Sequence, residues 1–116
     1  MTNRKKGIFR SVKQAFLRGN SYIVQWAKPR VTKKRGPSRG LCDCPSAENR
    51  KIVIDPTVSE PVLLDTIIHE ALHGCVWDLD EESVESTASS IADLLWACGY
   101  RRLENPEENK NHDNRE

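Results

Sequence analysis

The chain has 116 residues, with 18 Lys or Arg against 17 Asp or Glu and a formal net charge of +1. Hydrophobic residues make up 37 % and mean hydropathy is −0.65, so one small domain with a modest core is expected. No apolar run is long enough to span a bilayer, and the N-terminus lacks the apolar stretch and cleavage site of a secretory signal. A cytoplasmic location is therefore expected.

The near-neutral total hides a division. Residues 1–42 hold twelve Lys or Arg and no acid, while residues 43–116 hold six and all seventeen acids, so the halves are about +12 and −11. Either the two fields offset each other within the fold, or the basic half (1–42) contacts nucleic acid through Arg4, Lys5, Lys6, Arg10, Lys13 and the Lys33-Lys34-Arg35 cluster.

Residues 1–19 form a basic segment, mildly amphipathic through Ile8, Phe9, Val12, Phe16 and Leu17, and a helix is expected over 4–18. Residues 21–27, Ser-Tyr-Ile-Val-Gln-Trp-Ala, read as a strand that Pro29 closes. The Lys, Arg, Gly, Pro and Ser of 32–40 predict a basic loop. Leu41–Cys44 suggests a short strand, and Lys51–Asp55 the clearest one. A helix is expected next, with Ser59 as N-cap and Pro61 in its first turn. A second helix follows, capped by an Asp78-x-x-Glu81 pattern, apolar at Val84, Ala88, Ile91 and Leu95, and stopped by Gly99. The polar residues 104–116 read as a disordered tail. The expected fold is α+β, with a few-stranded antiparallel sheet followed by two helices, and its domain covers 20–102.

The first helix carries His69-Glu70-Ala71-Leu72-His73, the pattern H-E-x-x-H. Residues four apart share a helix face, so His69 and His73 can offer two imidazole nitrogens to one Zn²⁺. Glu70, next around the helix, can act as general base on metal-activated water. A catalytic zinc needs a third protein ligand. An H-x-x-G-x-x-H continuation is excluded, because Gly74 follows His73 directly and position 79 is Leu79. His112 lies in the polar tail. A glutamate from the second helix remains. Glu85 is preferred because it shares a ridge with Ala88, Ser89 and Ala92, whose small side chains permit close helix approach; Glu82 comes second and Glu81 third. Asp65, one turn before His69, is a candidate to orient a ligand. Tyr22, Tyr100 and Arg101 are candidates to stabilise an oxyanion.

Among the four cysteines, Cys42-Asp43-Cys44 is C-x-C rather than the C-x-x-C of zinc ribbons, and Cys75 and Cys98 read as buried small hydrophobes.

With its H-E-x-x-H helix, preceding strand and the helix ending Leu94-Leu95-Trp96-Ala97-Cys98-Gly99-Tyr100, the chain resembles the small zincin-like metallopeptidases of phages and prophages. It is more distantly similar to SprT-like and ImmA/IrrE-like proteases. The resemblance covers roughly residues 20–102, and the metal helix is its specific part. It implies a gluzincin-type site with His69 and His73 as ligands, Glu70 as base and Glu85 as third ligand. It also implies a peptide or protein substrate. The competing expectation is a regulatory zinc protein that binds nucleic acid or protein without catalysis.

Overall fold

The structure, a computed structural model, describes residues 12–34 and 36–102. Six elements follow in order: strands β1 (Gln14–Leu17), β2 (Asn20–Trp26), β3 (Gly40–Cys42) and β4 (Lys51–Ile54), then helices α1 (Glu60–Cys75) and α2 (Glu81–Ala97). The α+β class expected from the sequence holds.

The sheet runs β1-β2-β4-β3 and is mixed, not antiparallel as expected. β2 and β4 are parallel, pairing Val24 with Ile52 and Trp26 with Ile54. The chain from Ala27 to Arg39 crosses over and returns as β3, which pairs antiparallel with the far side of β4. β4 is thus central, and three of its four residues are buried.

The helix expected over 4–18 is a strand from Gln14 onward, and residues 4–11 of that expectation lie outside the described residues. Its apolar positions fit a two-residue period, with Ala15 and Leu17 half-buried and Phe16 exposed. The deciding signal is the turn. Arg18 (φ 51°) and Gly19 (φ 85°) both take positive φ, as a two-residue hairpin turn requires. Arg18 then donates a hydrogen bond to the Cys75 carbonyl, 3.3 Å away at the end of α1, where a cation suits the helix dipole.

Tyr22, Ile52, Ile54 and Leu63 form the core between the inner sheet face and α1. α2 packs on α1 rather than on the sheet, so α1 is covered from two sides. The α2 contact ridge is Val84, Ala88 and Ala92, all buried. Burying a side chain such as Val84 completely contributes about 1.5–3 kcal/mol. Ile91, expected inside, is 38 % exposed, because it projects about 60° from the middle of that ridge. Cys98 is exposed and Cys75 only half-buried, so the reading of both as buried is corrected.

The helix ends explain much of the site. Ser59 holds the N-cap position of α1 but its side chain makes no capping bond. α2 is capped by Asp80, not by Asp78: the Asp80 carboxylate accepts from the Ser83 N–H (3.2 Å) and hydroxyl (2.7 Å). At the other end, Gly99 (φ 95°) closes a Schellman motif, with Gly99 N–H bonded to the Trp96 carbonyl and Tyr100 N–H to that of Leu95.

The hydrogen bonds from Ser83 hold the Asp80 carboxyl below its ordinary pKa. A depressed carboxyl stabilises the fold above its unfolded pKa, and that stabilisation is lost as pH falls through the folded value. Asp80→Ala should therefore lower the melting temperature at pH 7 by roughly 5 °C, and the deficit should shrink below about pH 4. Asp78→Ala should leave the melting temperature near that of the parent chain at both pH values.

Candidate metal centre

α1 and α2 are joined by only five residues, Val76–Asp80, so they form an antiparallel hairpin. The short connection brings the start of α2 level with the end of α1. Far from the turn, the hairpin is pinned by the Ser89 hydroxyl, which donates to the half-buried Asp65 carboxylate at 3.0 Å. Asp65 therefore joins the helices, and no bond from it to His69 is seen.

Near the turn, Glu81 meets both histidines. Its Oε2 lies 2.9 Å from His69 Nε2, and its Oε1 lies 3.1 Å from His73 Nε2. The imidazoles stand edge to face, with centroids 4.9 Å apart. One ligand atom from each of His69, His73 and Glu81 lies within 4.8 Å of the others, and this is the one such group among the described residues. Each imidazole side chain is 19 % exposed and that of Glu81 is 66 %, so the group sits at a cleft mouth open to water.

Glu81, not Glu85, thus completes the set. Glu85 and Glu82 are both exposed and neither joins the histidines. Helix geometry gives the reason. At 3.6 residues per turn, Glu81 projects about 20° from the middle of the Val84–Ala88–Ala92 ridge, against about 60° for Glu85. The cap matters as well. The Asp78-x-x-Glu81 reading makes Glu81 a capping partner, whereas a helix capped by Asp80 leaves it as the first helical residue, free to reach across. The signal was present in the alternative spacing Asp80-x-x-Ser83.

The donor set fits zinc. Ligands at 2.0–2.1 Å in a tetrahedron lie about 3.3 Å apart; the two histidine–glutamate separations run to different Glu81 oxygens at hydrogen-bond length, and one donor atom from each residue lies within 4.8 Å of the others. Two imidazoles and one carboxylate leave a fourth position for water. Burial holds the His73 imidazole below its usual pKa, against the opposing pull of the Glu81 carboxylate. A lowered pKa favours the neutral imidazole, the form in which histidine ligates metals.

Glu70 occupies the position expected of a base. It is buried, yet it lines the cleft beside His69 and His73. Burial pushes its carboxyl up to about 7, and the Glu81 charge adds to the rise. Gly40 on β3 makes its place. A β-carbon at Gly40 would come within 2.8 Å of Glu70 Cγ and Oε2 and 3.0 Å of Thr66. Sequence reasoning missed Gly40, because a lone glycine after a basic loop reads only as a turn.

The cleft, roughly 750 Å³, is bounded on one side by Pro37–Leu41 and on the other by Asp65, Thr66 and the metal group. The three oxyanion candidates lie elsewhere. Tyr22 is fully buried and its hydroxyl donates to the Asp43 carbonyl at 3.1 Å. Arg101 stacks over Trp96, 3.3 Å from the ring centroid, and Tyr100 is exposed after α2. Cys42 and Cys44 belong to no metal group among the described residues. Burial, with the Glu70 charge, pushes the Cys42 thiol up to about 12, so it is not a nucleophile at neutral pH.

Comparison with family models, curated proteins and solved structures yields no match to this chain.

Metal analysis should find about one zinc per chain. His69→Ala and Glu81→Ala should each lose it, and Glu85→Ala should retain it; a chain that loses zinc with Glu85→Ala but not with Glu81→Ala would reverse the assignment. Gly40→Ala should keep zinc while displacing Glu70, and any turnover should fall by about tenfold or more.

Proposed function

We propose that this protein is a zinc-dependent peptidase of the gluzincin type, with His69, His73 and Glu81 as ligands and Glu70 as general base. The observation that carries the reading is the conjunction of a three-donor group with a buried carboxylate beside it, raised toward neutral pH. A purely structural zinc takes four protein ligands and has no use for such a base.

Zinc at this position would supply a Lewis acid that activates water and polarises a carbonyl. Glu70, with its carboxyl pushed up to about 7, accepts the water proton and returns it to the leaving amine. Gly40 leaves the room that the Glu70 side chain occupies. Burial favours the neutral form of His73 by lowering its pKa.

The substrate reading follows from the sheet edge. Among the described residues, β3 has no strand on its outer side. The Arg39 carbonyl and the Asp43 N–H are bonded toward β4. By the alternation of strand hydrogen bonds, the backbone groups of Gly40 and Cys42 face outward. An extended peptide that pairs with them lies along the cleft, opposite the histidines. The expected setting is the cytoplasm, where the four free thiols remain reduced. None of the described helices is long and apolar enough to cross a membrane.

Glu70→Gln is the decisive variant. It should bind zinc as the parent chain does and lose about 10³-fold in peptide hydrolysis. Full activity in that variant would remove Glu70 from the mechanism and the peptidase reading with it.

A further inference from the structure

The loop that leads into β3 is densely basic. Residues 28–39 contain six Lys or Arg and no acid. Of these, Lys28, Arg30, Lys33, Lys34 and Arg39 are described, and all five are exposed. The last residues of this loop, Pro37–Arg39, form part of the cleft wall. The opposite wall is acidic, with Asp65, Glu70 and Glu81. The charge division of the sequence is therefore also a division across the cleft.

The register fixes where the cations fall along a bound chain. Gly40 lies against Thr66 and Glu70, and Cys42 lies near Gly74. β3 thus runs beside α1 in the same direction, and the basic loop joins it at the level of Asp65 and Thr66, a turn before His69. A peptide pairing antiparallel with β3 passes the metal group first, and its C-terminal part then runs out over the loop.

We infer that the protein recognises an acidic segment lying C-terminal to the bond placed at the metal group, read by Lys33, Lys34 and Arg39. This rests on the peptidase reading for the position of the bond, while the recognition itself can be measured without cleavage. Rim charges of this kind act through long-range attraction that salt screens. An acidic peptide fits better than nucleic acid. The cations continue into a strand edge whose outward backbone groups can pair with an extended peptide, which a nucleic acid cannot do.

The test uses zinc-loaded Glu70→Gln protein and labelled peptides that share one core and carry an Asp-rich, Ser-rich or Lys-rich C-terminal flank. At low salt the Asp-rich peptide should bind about tenfold more tightly than the Ser-rich one. That preference should disappear at high salt and in the Lys33→Glu/Lys34→Glu form of the same protein, with Ser-rich binding unchanged. Equal affinity for the Asp-rich and Ser-rich peptides, or a preference untouched by charge reversal, would overturn the inference. So would an oligonucleotide that binds more tightly than the Asp-rich peptide and displaces it. The parent chain, tested for cleavage of the same peptides, separates the two readings: selective binding without hydrolysis sinks the peptidase and leaves acidic recognition standing.

Discussion

At Gly40 the edge strand comes so close to α1 that a β-carbon would sit 2.8 Å from Glu70. That approach sets the geometry of everything around it. It buries Glu70 and raises its carboxyl, and it places the outer edge of β3 beside α1. Gly74 allows a second approach on the same helix, where a side chain would meet Leu17 and Cys42. Glycine costs a helix roughly 0.8–1 kcal/mol relative to alanine, and here that cost accompanies close seating of the β1–β2 hairpin and β3 against α1.

α1 is covered by the sheet on one side and by α2 on another. The first contact buries the Glu70 carboxyl and the second brings Glu81 to the histidines. A helix enclosed in this way presents His69 and His73 with little freedom, which suits ligands that must hold their geometry. The exposed member is Glu81, at the start of α2 and beside a short turn. The group is thus rigid on the α1 side and open to water on the other.

Much was legible in the sequence. H-E-x-x-H already put His69 and His73 on one face of α1, because the helical period alone brings residues four apart together. Strands at 21–27 and 51–55, the stop at Gly99 and the α+β class followed from local patterns that structure seldom overrides. Short-range competition between two equally local patterns was not resolved. Asp78-x-x-Glu81 and Asp80-x-x-Ser83 are both good caps, and the choice between them decided whether Glu81 or a later glutamate reached the histidines. Residues 14–17 were similar: an apolar pattern compatible with a helix became a strand through the Arg18-Gly19 turn and pairing with β2.

The sequence by itself determined the two histidines, the adjacent glutamate, the helix that carries them and the separation of charge along the chain. These depend on composition and on the helical period, which are local. Only the tertiary structure decided that β2 and β4 run parallel, that β3 is the edge beside the cleft, that Gly40 lies against Glu70, and that Glu81 meets both histidines. Each depends on distance between segments far apart in the chain or on rotation of one helix against another. A rotation of about 40° separates Glu81 from Glu85 on α2, and packing of Val84, Ala88 and Ala92 against α1 selects between them.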